Sequence, residues 1–332
     1  MKKWHLPFLL FLIIGTVLIL KGQRPVLQGY SGHVFGTTCH IKYFCSRPLD
    51  DDIESAMLRV DNSLSMFNGN STLSRVNRNE DLDVSSDTTF IRVFRLAMDI
   101  SELTDGAFDV TVAPAVNAWG FGFKESEDIT KTTIDSLRQI TGYQKVRLTD
   151  DGLIIKDDPR IMMDFSAIAK GFGCDVVAAA LSANGVKDFM VEIGGEIVVR
   201  GKNGQDKKWS IGVSEPDENL SEGNLRTILH LTDCAMATSG NYRNYYVRDG
   251  VRYAHTIDPK TCMPVSHDLL SATVIATDCA TADALATSFM VMGTDRAVTL
   301  TRSHPDIKAY LIVSKEEGRD VIDLTDGITE DR

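Results

Sequence analysis

The sequence has no Gly-x-Ser-x-Gly elbow, no His-Glu-x-x-His pair and no phosphate loop ending in Lys-Ser or Lys-Thr. Serine-hydrolase, zincin and P-loop chemistries therefore have no motif to start from. No Cys-x-x-Cys occurs either: the six cysteines stand at 39, 45, 174, 234, 262 and 279, none beside histidine at zinc-finger spacing. They read as small buried hydrophobes, with disulfides open to an exported chain. Positive charge is short, with 35 Lys and Arg against 46 Asp and Glu and a net charge of -11. That balance excludes a grip on a nucleic-acid backbone, which needs concentrated cations. It leaves room for a small phosphorylated ligand, which needs only a local cradle of N–H groups, one cation or a metal. No internal repeat and no low-complexity linker breaks residues 30–332. The expectation is one compact unit, two lobes with a cleft.

What is present begins at the N-terminus. Lys2 and Lys3 precede an apolar run over 6–20, which Lys21 closes. A positive end stays in the cytoplasm, so the remainder of the chain is expected outside it. The run is short for a span and long for a signal core. No small-x-small cleavage site follows it, and no cysteine is there to take a lipid. Residues 1–24 are therefore read as a retained membrane anchor, with a cleaved signal and a buried N-terminal helix as alternatives. Residues 25–332 are expected to form the functional domain, on the external side of the cytoplasmic membrane.

Periodicity organises the rest. Residues 22–29 read as a polar tether and 33–43 as a strand interrupted at 36–38. Helices are expected over 52–66, 88–102, 129–141, 164–184 and 281–292, with a helical turn at 114–119. Strands are expected at 145–148, 153–156, 189–193, 196–200, 209–213, 226–231, 242–247, 252–257, 272–276 and 309–313. Glycine-separated strands with interspersed helices give an α+β fold of mixed sheets with packed helices, not a repeating βαβ barrel.

Five clusters can carry chemistry. Asp105-Gly106-Ala107-Phe108-Asp109 is either a turn or a set of backbone groups plus Asp109 against a polar ring. Asp164 to Lys170 puts an acid, a serine and a lysine at a helix start, where N–H groups attract phosphate; the plain reading is a cap and a solvated lysine. In Glu192-Ile193-Gly194-Gly195-Glu196 the paired glycines let backbone approach a ligand, or make an ordinary turn. Ala237 to Tyr245 and His255 to Pro259 are dense in hydroxyls and amides, with Arg243 and His255. Asp283 and Thr287 stand four apart on one helix face, two oxygens suited to a hard cation such as Mg²⁺ or to each other. Trp119-Gly120-Phe121-Gly122 lacks the strand–turn–helix setting of a dinucleotide fingerprint.

Taken in order, these pieces resemble the FAD:protein FMN transferases, the ApbE-like family. The resemblance runs from Gly36-Thr37-Thr38 and Ser74-Arg75-Val76-Asn77, through the clusters above, to Ala282-Asp283-Ala284-Leu285-Ala286-Thr287. It implies a flavin-nucleotide cleft and a Mg²⁺-dependent enzyme that splits FAD at its pyrophosphate. FMN then passes to a threonine of an exported or membrane-bound redox subunit, and AMP leaves. Carried onto this chain, the flavin contacts are Phe35, Phe67, Ala107, Phe108, Asp109, Asp164, Lys170 and Ile257. The metal positions are Asp283, Thr287 and the backbone oxygens of Ala167 and Ala286. Phe35 stands where the family carries methionine, and Cys262 where it usually carries glycine. His255 is a candidate base, with Asp258 to orient or replace it, and Arg243 a candidate for the phosphate oxygens. The alternatives are an FAD pyrophosphatase, with water in place of threonine, and a flavin-binding surface protein without turnover.

Overall fold

The computed structural model describes residues 5–22, 25–121, 129–216, 225–241, 245–248, 251–315 and 318–326. Its centre is an eight-stranded sheet in which every neighbouring pair is antiparallel. The strands lie in chain order across it: Val26–Val34, Thr37–Cys45, Phe189–Ile193, Glu196–Arg200, Cys234–Gly240, Leu269–Ala276, Lys308–Lys315 and Gly318–Leu324. Smaller two-stranded ribbons accompany it, among them Trp209–Ser214 with Leu225–Leu231 and Tyr245–Arg248 with Val251–Ala254. This is the mixed α+β architecture expected, with no closed barrel.

The helices are α1 (His5–Gly22), α2 (Asp50–Leu64), α3 (Thr72–Asn77), α4 (Thr88–Leu103), α5 (Ala113–Ala118), α6 (Lys131–Ile140), α7 (Ser166–Ala183), α8 (Cys279–Met292) and α9 (Thr294–Ser303). Their ends follow capping chemistry: Asp87 accepts from the Phe90 N–H at 2.9 Å and Asp278 from the Thr281 N–H at 2.9 Å. Buried Phe90, Val93, Phe94 and Ala97 give α4 one apolar stripe. In contrast α7 and α8 are apolar nearly all round and lie inside the protein, α7 against α8 and both against the sheet. Gly171 permits this. A Cβ there would stand 2.2 Å from the Cys279 carbonyl oxygen, so a larger residue would push the two helices apart.

Three departures from the sequence reading are informative. The tether at 22–29 is in part a strand, since Val26–Val34 pairs residue for residue with Thr37–Cys45. The turn between them is Phe35-Gly36, with φ of 52° and 75°, the doubly left-handed form that joins twisted strands. A bulky Phe in the first turn position hides that signal. The expected 252–257 strand is divided into Val251–Ala254 and Ile257–Asp258. Helices α3 and α9 and the strands Cys234–Gly240 and Gly318–Leu324 carry little periodic signal and were not expected.

Helix α1 is different in kind. Phe8, Leu9, Leu10, Phe11, Leu12, Ile13 and Ile14 are all exposed on it. The other long apolar helix, α7, is a core element.

Candidate active site

The N-terminus of α7, the middle of α8, the hairpin at 193–196 and the loop 105–121 enclose a cavity of about 620 Å³. Its charged wall is set by contacts between α7 and α8. The Lys170 ammonium lies 3.0 Å from Glu196 Oε1 and 3.6 Å from Asp283 Oδ1. The Gly171 N–H donates to Asp283 Oδ2 at 3.0 Å. One turn further on, the Thr287 and Ser239 hydroxyls meet at 3.2 Å. Asp283 is 2% exposed and Glu196 4%. Burial works against the charge on Lys170, but Asp283 and Glu196 outweigh it and hold the amine protonated well above the usual lysine range. Burial first, then the Asp283 charge, push Glu196 upward, against the pull of Lys170.

A second, partly buried acid braces this wall. Asp175 of α7 accepts from the Cys279 and Ala280 N–H groups, both at 2.9 Å, at the first turn of α8. Burial raises it to about 7 despite those bonds. Asp175 thus clasps the two helices one turn from Lys170 and Asp283.

The other wall is largely apolar: Ala107, Phe108, Val112, Val116, Phe121 and Ile257 line it. Asp109 lines it too, but its carboxylate is fully engaged. Oδ1 accepts from the Thr111 N–H at 2.7 Å and hydroxyl at 2.6 Å, and Oδ2 from the Tyr143 N–H at 2.7 Å. Burial raises its pKa against these bonds. Asp109 therefore shapes the loop that carries Ala107 and Phe108. His255 lines the cavity with its ring edge-on to Phe121, centroids 6.4 Å apart. Phe67 stands at the rim, 80% exposed.

Asp164, Ala167, Lys170, Asp283 and Thr287 all reach the cavity, as do Ala107, Phe108, Asp109, His255 and Ile257. Asp164 accepts from the Ser166 N–H at 2.7 Å, which sets the first turn of α7 at the wall. Three of the sequence candidates sit elsewhere. The Phe35 ring packs over Gly173, where a Cβ would stand 2.5 Å from it, and does not line the cavity. Asp258 closes its own turn, accepting from the Lys260 N–H at 2.9 Å and the Thr261 hydroxyl at 3.0 Å. Ala286 is fully buried behind the wall. Arg243 and Gly122 lie outside the described residues. Cys262 adopts φ 55°, the left-handed region that glycine favours. Glu196 belonged to a cluster singled out by sequence but not to the residues assigned. Its sequence signal is an acid opening a strand whose next three residues, Ile197, Val198 and Val199, are apolar.

Among the described residues no three His, Cys, Asp or Glu side chains gather as a metal cage. The candidate set is oxygen only: one buried carboxylate, one hydroxyl and backbone carbonyls. Such donors fit a hard divalent cation and suit neither zinc nor copper. A buried Asp283 on an apolar helix face also needs positive charge near it, which Lys170 supplies in part.

Comparison with known proteins agrees with this geometry. The ApbE family profile matches residues 35–311. The FAD:protein FMN transferase of Vibrio cholerae is 37% identical over 331 residues, 96% of each chain. That of Haemophilus influenzae is 36% identical over 304 residues, 87% of each chain. The solved structure of the flavin transferase ApbE from Vibrio cholerae superposes with a TM-score of 0.81 at 36% identity, covering 91% of this chain and 98% of that one. The ApbE protein from Thermotoga maritima gives 0.78 at 29% identity, over 91% and 98%. A profile match over most of the chain, relatives matched nearly end to end and a shared fold lead to one conclusion: the chain belongs to the ApbE family.

Proposed function

We propose that this chain is an FAD:protein FMN transferase, which takes FAD into the cavity and passes its FMN group to a threonine of an acceptor protein. The observation that carries the reading is the meeting of Lys170, Asp283 and Thr287 with His255 and an apolar wall around one cavity of about 620 Å³. That volume is typical of a small-molecule site. The wall of Phe108, Val112, Val116, Phe121 and Ile257 suits a flat ring system, and the opposite wall suits phosphates.

The residues divide the work. Lys170 is held protonated and aimed by its two carboxylates, so it meets a phosphate oxygen without first reorganising. Asp283, Thr287 and the backbone carbonyls of Ala167 and Ala286 would hold Mg²⁺, which when bound neutralises charge on phosphoryl oxygens. The threonine hydroxyl attacks the FMN-side phosphorus and the bond to AMP breaks. His255, which lines the cavity, takes the hydroxyl proton. The exposed apolar flank of α1, preceded by Lys2 and Lys3, supports a membrane anchor with the catalytic part on the external side. The acceptors would then be exported or membrane-bound redox subunits.

The test is to mix the full chain in detergent with FAD, Mg²⁺ and a threonine-bearing acceptor, then denature and weigh the acceptor. Gain of one FMN mass, lost when the threonine becomes alanine, supports transfer. FMN and AMP in equal amounts, with no gain on the acceptor, would establish hydrolysis instead.

A further inference from the structure

The Gly194-Gly195 turn, with φ of 64° and 102°, closes the hairpin between Phe189–Ile193 and Glu196–Arg200. It brings Glu196 to the cavity directly beside Lys170, and Gly194 lines the cavity with it. The two Glu196 oxygens differ. Oε1 pairs with the Lys170 ammonium at 3.0 Å, whereas Oε2 is buried and has no hydrogen-bond partner. A carboxylate oxygen removed from water and left without a donor is costly, and native structures rarely leave one so. Here the oxygen belongs to a side chain 4% exposed that forms part of the wall of a ligand cavity.

The missing donor has a definable chemistry. A phosphate oxygen does not suit the ionised Glu196 of the Lys170 ion pair, because it is an acceptor and carries the same sign of charge. Lys170 is already engaged by Oε1 and Asp283. What remains beside a lysine that meets phosphate is the hydroxyl-bearing part of a nucleotide. In a flavin dinucleotide, polyol or sugar hydroxyls flank the pyrophosphate on both sides. We propose that Glu196 is a further substrate-binding residue, its free Oε2 accepting a hydrogen bond from a hydroxyl that flanks the pyrophosphate. The assignment rests on the transferase reading. It gives Glu196 two linked tasks: Oε1 aims Lys170 at a phosphate, and Oε2 fixes the neighbouring hydroxyl. Substrate register along the cavity then depends on one carboxylate.

The test is a double-mutant cycle on binding, read by quenching of flavin fluorescence with the full chain in detergent and EDTA. The ligands are FAD, analogues lacking one ribityl hydroxyl, and analogues lacking the 2′- or 3′-hydroxyl of the adenosine ribose. The proteins are the parent, Glu196→Ala and the near-isosteric Glu196→Gln, which guards against a folding failure of the alanine variant. One analogue is expected to bind the parent about 10- to 100-fold more weakly than FAD, as for a hydrogen bond to a charged group. That penalty should vanish in Glu196→Ala and shrink in Glu196→Gln. A ribityl analogue behaving so identifies the flavin side, and a ribose analogue the adenosine side. Equal penalties in parent and variants for every analogue would overturn the assignment while leaving the transferase reading intact. A parent that binds no FAD, in EDTA or with Mg²⁺ restored, would overturn both.

Discussion

The strand Glu196–Arg200 separates two kinds of interior. Ile197 and Val199 face the Trp209–Ser214 and Leu225–Leu231 ribbon, in a cluster with Trp209, Ile211, Leu229 and Ile312. Glu196 and Val198 face α7 and α8, where Asp283 is buried and Lys170 and Asp175 are partly buried. One side is filled mainly by apolar contact, with Trp209 Nε1 donating to the Arg200 carbonyl at 3.0 Å. The other holds ionisable groups that cost desolvation and are repaid only in part by pairing. A protein can build a stable sheet face as the ribbon side does, so the ions on the helix side call for a different explanation. On the proposed reading Lys170 and Asp283 serve the chemistry, while Asp175 clasps α7 to α8.

The two faces should therefore respond differently to substitution. The largest effect is expected for Asp283→Asn, which removes the carboxylate from the charged wall. Transfer should fall by about 100- to 1,000-fold, in kcat more than in FAD affinity, since charge neutralisation matters most as the bond breaks. Steady-state transfer measured with FAD binding in parallel checks this. On the ribbon side, Leu229→Ala removes a fully buried side chain and should cost about 2–5 kcal/mol of stability. Denaturant unfolding would show the loss, while transfer per folded molecule stays within about two-fold. Gly171→Ala joins the two behaviours, because its methyl would meet the Cys279 carbonyl. A cost of about 1–3 kcal/mol is expected from overpacking, with a fall in kcat as α7 moves away from Asp283.

The last effect concerns pH. Asp175 is raised to about 7 in the folded protein, against an ordinary carboxyl near 4 in the unfolded chain. Between those values the native state holds the extra proton, so stability is full below pH 4 and falls as pH rises through 7. Asp175→Asn should remove that slope. The parent-minus-variant difference in unfolding free energy should decline from pH 4 to pH 7.5, and a flat difference would deny the shift.

How much of this was readable beforehand depends on the kind of signal. Helix α4 announces itself because half its surface is solvent-facing, so its apolar stripe repeats at helical spacing. Helices α7 and α8 have no such stripe, and were legible through Asp164, Lys170, Asp283 and Thr287 instead. The strand Cys234–Gly240 has small and polar residues with buried neighbours on both sides, which leaves no alternation to read. Phe35 and Asp258 show the limit of carrying residues over by position: one ring lies on Gly173, and the other side chain closes a turn. Glu196 could be placed only when folding brought its hairpin against α7, since nothing in the sequence pairs it with Lys170.

The central claim is that the charged wall and the apolar wall act together on FAD to move its FMN group onto protein. The direct measurement is the intact mass of a denatured acceptor after incubation with the enzyme, FAD and Mg²⁺, alongside the AMP released. The account predicts one FMN mass gained per AMP formed with the parent, and neither above background with Asp283→Asn. AMP formed together with an equal amount of free FMN, and an acceptor of unchanged mass, would contradict it.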